Sequence, residues 1–199
     1  DGGELARIVK AAGRSRIRPA ELASGPPTDF RAQPDSLIAI GASTGGVAEA
    51  VAAIEGPVCV VHGAGPQISE KMAKRGLTPE FVNGRRVTTG AVLEIVCESF
   101  AAVNAAVCAA IGPRAVPFSG DEIGLEALHV AELGHVGDPI PSAPVAVLDA
   151  LDAGFVPVVS PLARGPLNVN ADEMASALAV GIGARLIRFL TDVRGVYRD

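Results

Sequence analysis

The sequence predicts an α/β protein, a three-layer αβα sandwich around a mostly parallel sheet. Short apolar runs alternate with helical segments from residue 37 onward, which is the order of strand–helix–strand units. The runs are rich in Val, Ile and Leu with little alternation, as in strands buried on both faces. The interior is also rich in Ala, Val and Gly with only 4% aromatic residues, a composition that lets helices pack closely on a sheet. At 199 residues and 49% hydrophobic content, one sizeable core is expected and two full domains are not.

Residues 1–17 place Leu5, Ile8, Val9 and Ala12 on one face, with Arg7, Lys10, Arg14 and Arg16 elsewhere, and are expected to form an amphipathic helix. Residues 18–36 carry Pro19, Pro26, Pro27 and Pro34 with Ser24, Gly25, Thr28 and Asp29, and are expected to be a linker. A single α/β domain then occupies 37–199. Its predicted elements are a strand at 37–40, a helix to Ile54, a strand at 58–61 and a helix to Arg75. Asn83-Gly84 sits between β-capable residues and predicts a hairpin over 81–87. A helix at 91–111, a strand at 115–118, a loop or hairpin beside 135–138, a helix at 145–153 and a strand at 156–159 follow. Asp172 to Gly183 reads as the last helix and 186–190 as the last strand.

The net charge of −5 and the scarcity of aromatic residues argue against a nucleic-acid partner, since Arg14, Arg16 and Arg18 make too short a basic cluster. No membrane span is expected, because Asn104, Gly112 and Pro113 interrupt the longest apolar run. Cys59, Cys97 and Cys108 lie in apolar segments without metal spacing and read as thiols of a reducing, cytoplasmic compartment. His129 and His135 likewise lack mutual metal spacing, and no metal site is expected. Asp1 opens directly into a helical pattern without an initiator Met or a signal-peptide apolar region, so the chain reads as a fragment or an engineered product.

Three segments carry chemistry. Val61-His62-Gly63-Ala64-Gly65 joins a strand to a helix, where glycines admit an anion to backbone N–H groups or simply make the turn. Arg86, in Gly84-Arg85-Arg86-Val87-Thr88, is either a planar fork for a carboxylate or a solvated hairpin charge. Asn168 and Asn170 offer amides to a ligand, and Asp172 stands where it can cap the following helix.

These segments, with Pro66-Gln67-Ile68-Ser69, Ser119-Gly120, Leu167-Asn168-Val169-Asn170-Ala171-Asp172 and Leu190-Thr191-Asp192-Val193, resemble in order the signature of acetylglutamate kinases in the amino-acid-kinase superfamily. The resemblance implies transfer of the ATP γ-phosphoryl group, as Mg²⁺-ATP, to the side-chain carboxylate of N-acetyl-L-glutamate in arginine biosynthesis. It implies that Gly63, Ala64 and Gly65 lie over the substrate and the phosphoryl group, that Arg86 holds a substrate carboxylate, and that Asn168 binds the acyl-amino acid. It gives Asp172 the role of orienting catalytic lysines, and it implies a homodimer paired through amino-terminal domains. The family's first lysine falls at Ala39, and the chain stops before the second, where the nucleotide lobe should continue. Little or no turnover is therefore expected.

A second resemblance covers residues 1–50. Ile38-Ala39-Ile40-Gly41-Ala42-Ser43-Thr44-Gly45-Gly46 is similar to the nucleophile loop of chemotaxis protein-glutamate methylesterases. On that pattern Ser43 is an alternative nucleophile, His62 its base and Asp121 a third member. Gly45 and Gly46 are the candidate cofactor contacts of the loop. Together the two resemblances predict a composite chain, esterase-like over 37–50 and kinase-like over 57–199, with a non-catalytic α/β domain as the remaining alternative.

Overall fold

The computed structural model describes residues 38–42, 47–54 and 56–190. The predicted amino-terminal helix and linker, and the loop with Ser43, Gly45 and Gly46, lie outside the described residues. In chain order, β1 (Ile38–Ala42), α1 (Val47–Ala52), β2 (Val58–His62) and α2 (Gly65–Lys74) come first. The hairpin β3 (Phe81–Val82) and β4 (Arg85–Arg86) precedes α3 (Gly90–Ile111) and β5 (Ala115–Ser119). A second hairpin, β6 (Ala127–His129) and β7 (Gly137–Pro139), is followed by α4 (Val145–Asp152) and β8 (Val156–Ser160). A third, β9 (Leu162–Ala163) and β10 (Leu167–Asn168), leads to α5 (Ala171–Gly181) and β11 (Leu186–Leu190).

Five strands form one sheet in the order β11-β1-β2-β8-β5, and each pairing is parallel. Successive residues of a strand face opposite ways, and the two core layers follow from that alternation. Val58 and Val60 of β2, with Val156 and Val158 of β8, pack against Val47, Ile68, Met72 and Ile95 of α1, α2 and α3. Cys59, Val61 and Val159 pack on the other face against Val147 and Leu151 of α4 and Met174 and Leu178 of α5. Val60, Val61, Val158 and Val159 are fully buried, each contributing about 1.5–3 kcal/mol relative to exposure. The three-layer sandwich is thus the one the sequence predicts.

Helix α3 is the spine of the first layer. The Thr89 hydroxyl accepts from Val92 N at its start, and Gly112, at φ 91°, ends it. Of its two buried polar residues, Asn104 is satisfied, its Nδ2 donating to Phe118 O at 3.3 Å and Val158 O at 2.9 Å and so bridging β5 and β8, whereas Ser99 Oγ has no hydrogen-bond partner among the described residues. The sequence reading that Asn104 interrupts the apolar run, leaving nothing long enough to cross a membrane, does not hold for this helix. With 22 residues and a mean hydropathy of 1.7, α3 is long and apolar enough by length and composition, because a single Asn does not offset its Ala and Val content. It nonetheless buries Val92, Ile95, Val96, Phe100, Val103 and Val107 as a core helix.

The hairpin predicted from Asn83-Gly84 forms, with Asn83 at φ 50° and Gly84 at φ 79°, the left-handed values a two-residue turn needs. The β9–β10 hairpin was not anticipated; its two-residue strands are too short to show a period. All three hairpins stand off the main sheet. β4 and β10 border the cleft beyond the carboxyl ends of the parallel strands, the usual ligand position in such folds.

Candidate functional site

A cleft of about 200 Å³ opens where β2 meets α2. Gly63, Ala64, Gly65, Arg86 and Asn168 all line it, although they come from three separate stretches of the chain. The five residues predicted for substrate binding therefore share one cleft, whereas Asp172 is not among its lining residues. Ala64 is 2% exposed and belongs to the core layer with Val60 and Ile68. Its φ of −144° is open to any L residue, so a glycine is not required there. Gly65 is different: a Cβ built on it meets nothing within 4 Å, so the space above it is open rather than filled by packing.

Arg86 is buried, not a solvated hairpin charge. Its Nη2 donates to Ser69 Oγ at 2.9 Å and Gly65 O at 3.2 Å, its Nη1 approaches Met72 Sδ at 3.2 Å, and its guanidinium lies 4.6 Å from the Phe81 ring centroid. All these partners are neutral. Burial lowers its pKa from the ordinary arginine value, without removing its charge at neutral pH. A cation placed this way favours an incoming carboxylate.

The neighbouring Arg85 is paired. Its Nη2 donates to both Glu173 oxygens, at 2.9 and 2.8 Å, and forms an ion pair with Asp138. Burial alone lowers its pKa, but Glu173 and Asp138 outweigh that, so the net shift is upward.

Across the cleft, Asn168 Nδ2 donates to the hydroxyl of the buried Thr88 at 3.0 Å, and Asn168 N bonds His135 O. The cap of α5 differs from the expectation. Asn170, not Asp172, is the N-cap, its Oδ1 accepting from Asp172 N at 3.0 Å and Glu173 N at 3.2 Å. Asp172 lies two positions past the cap, in the first turn, and so cannot cap it. Its side chain is exposed, yet crowding by the surrounding protein and then the Glu173 charge raise its carboxyl above the ordinary range.

Of the hydrolytic alternative, Ser43 lies outside the described residues, and the structure does not bring His62 and Asp121 together. His62 is fully buried at the end of β2, with its ring edge-on to Phe100. Burial lowers its pKa to about 4, and its Nε2 has no hydrogen-bond partner among the described residues. Asp121 instead accepts from Ser119 Oγ at 2.5 Å, and no Asp121–His62 bond forms.

Sequence reasoning missed Phe81, Ser69, Thr88, Phe100 and Arg85. Of these, Ser69 and Thr88 stood inside quoted motifs and carried a signal. Phe81 and Phe100 did not, because their position depends on how the hairpin and α3 fold over the cleft, and Arg85, though inside the Gly84–Thr88 motif, carried nothing that marks its ion pairs.

This fold and cleft have known counterparts. The chain belongs to the amino acid kinase family, whose model matches residues 36–199. Within that family it is 38% identical to the acetylglutamate kinase of Thermus thermophilus over 173 residues, covering 82% of this chain and 69% of that protein. It is 44% identical to the acetylglutamate kinase of Nocardia farcinica over 157 residues, covering 70% of this chain and 52% of that protein. The chain thus spans between about half and 69% of these relatives' lengths. The crystal structure of smu.665 from Streptococcus mutans UA159 shares the fold at a TM-score of 0.72 and 22% identity, covering 82% of this chain and 75% of that one. The family match takes in residues 37–50, the stretch with the methylesterase-like motif, and these comparisons lend no support to an esterase-derived segment.

Proposed function

We propose that the cleft binds N-acetyl-L-glutamate as the acceptor side of an acetylglutamate-kinase-type phosphoryl transfer from Mg²⁺-ATP. One observation carries this reading: Arg86 is 7% exposed and forms no ion pair with a carboxylate among the described residues. A buried guanidinium facing an open cleft gains most from a ligand carboxylate, and its planar fork suits two-point contact.

The other walls supply the rest of a dicarboxylate site. Asn168, oriented by Thr88, offers its amide to the acylamino group. The start of α2 at Gly65 presents the positive end of a ten-residue helix beside open space, where a second carboxylate and an arriving phosphoryl group gain backbone N–H contacts. When bound, Mg²⁺-ATP supplies the phosphoryl group and much of the charge neutralisation; the residues described here hold and orient the acceptor. Gly45 and Gly46 are proposed for the nucleotide side, and Asp172 for positioning cations there.

Turnover by this chain is proposed to be weak. By the resemblance, the family's first lysine falls at Ala39 of β1, and an electrostatic donor of this kind contributes about 3–4 kcal/mol to a transition state. Calorimetric titration of N-acetyl-L-glutamate, with and without Mg-ADP, tests the site without requiring chemistry. Binding in the micromolar to millimolar range that Arg86→Ala abolishes is the expected result. No binding by the intact chain overturns the proposal, and turnover in the ordinary enzyme range overturns its second half.

A further inference from the structure

The β3–β4 hairpin carries both Arg86 and Phe81, yet its own ladder is two residue pairs long. Such a hairpin does not hold its place by itself. Its attachments lie on either side. Strand alternation sends Arg86 towards α2, where it bonds Ser69 and Gly65, and Arg85 towards the first turn of α5 and the edge of β7, where it meets Glu173 and Asp138. The first attachment is made by the very group offered to the ligand. The second is made by a side chain whose charge is already matched.

We propose that Arg85 is a positioning residue that, through Glu173 and Asp138, anchors the β3–β4 hairpin and thereby sets the Arg86 guanidinium in the cleft. The anchor joins segments 88 positions apart and so ties the hairpin to α5 along one side of the cleft. Arg85, Glu173 and Asp138 are 18%, 27% and 41% exposed in their side chains, so the cluster is partly shielded from water. Arg85 also neutralises two carboxylates that would otherwise face an anionic ligand. Its role in binding rests on the dicarboxylate reading above; its role in fixing the hairpin does not.

The experiment compares Arg85→Leu, Arg85→Lys, Glu173→Gln and the Arg85→Leu/Glu173→Gln pair with the intact chain. Amide hydrogen exchange over residues 80–88 and calorimetric titration with N-acetyl-L-glutamate are read together. Arg85→Leu is expected to speed hairpin exchange roughly tenfold while α3 and β8 stay protected, and to weaken binding roughly tenfold, the scale of coupled contacts. Arg85→Lys recovers part of both, and the double variant is no worse than the poorer single one. Unchanged hairpin exchange in Arg85→Leu overturns the proposal. So does additive loss in the pair, or tighter binding by Glu173→Gln, which would mean that Arg85 serves the ligand directly. If the intact chain does not bind this ligand, the functional reading fails and the exchange measurement alone decides the role of Arg85.

Discussion

Arg85 and Arg86 are consecutive in β4 but occupy opposite walls of one cleft, Arg85 against Glu173 at 2.8 Å and Arg86 against Ser69 at 2.9 Å. The first cation is matched by two carboxylates, and the second by neutral groups only. Their pKa shifts run in opposite directions for that reason, upward for Arg85 and downward for Arg86. Chain neighbours of one residue type thus divide structure and recognition between them.

Arg86→Lys is expected to keep the fold and lose the ligand. An ammonium keeps the charge but cannot span Ser69, Gly65 and a carboxylate with one planar fork. Loss of charge-assisted bonds of about 1.5–3 kcal/mol corresponds to binding of N-acetyl-L-glutamate weakened by roughly 10- to 150-fold. Calorimetry beside a thermal melt checks this. Retained affinity in the lysine variant would show that charge alone suffices.

Thr88 couples the two walls, and Gly134 holds Thr88. Thr88 N bonds Leu133 O, His135 N bonds Thr88 O, and Asn168 donates to the Thr88 hydroxyl. Gly134 has φ 78°, and a Cβ there falls 2.4 Å from Thr88 O. Gly134→Ala therefore combines backbone strain with overpacking and is expected to cost roughly 2–4 kcal/mol. Urea unfolding measures it; an unchanged midpoint would mean that the loop relaxes freely.

The centre of the main sheet was legible in the sequence because β2 and β8, at 58–62 and 156–160, are five-residue apolar runs buried on both faces. The Asn83-Gly84 hairpin was legible because its turn demands positive φ twice. The convergence of Gly63, Arg86 and Asn168 on one cleft could be inferred only through resemblance, since no local pattern links positions a hundred residues apart. Arg85 was invisible for the same reason: its ion-pair partners lie on β7 and α5, and nothing in Gly-Arg-Arg-Val tells the paired arginine from the unpaired one. The cap of α5 was misplaced by two residues because Asn170 and Asp172 are equally good capping types, and only the backbone of Asn170, at φ −62° and ψ 132°, decides between them.

That cap gives a third expectation. Asn170→Ala removes the acceptor for Asp172 N and Glu173 N and should cost about 1 kcal/mol, whereas Asn170→Ser, which can still cap, should cost little. Equal loss in both variants would mean that Asn170 stabilises the protein by a route other than the cap.

His62 makes the stability of the whole fold sensitive to acid. Its pKa falls from 6.5 to about 4 in the folded chain, first through burial, with a smaller opposing effect from Gly63 O. Below pH 6.5 the unfolded chain takes up a proton at this position that the folded chain refuses until about pH 4. Stability is thus full above pH 6.5 and declines as the pH falls towards 4, by up to about 3 kcal/mol from this group alone. Carboxylates add their own acid dependence, so the comparison is with His62→Gln, which lacks the titrating ring. Urea unfolding at pH 7.5 and 4.5 should show a smaller difference in the variant than in the parent. An equal difference would place the acid sensitivity elsewhere, and would mean that buried His62 gains a partner for Nε2 when it is protonated.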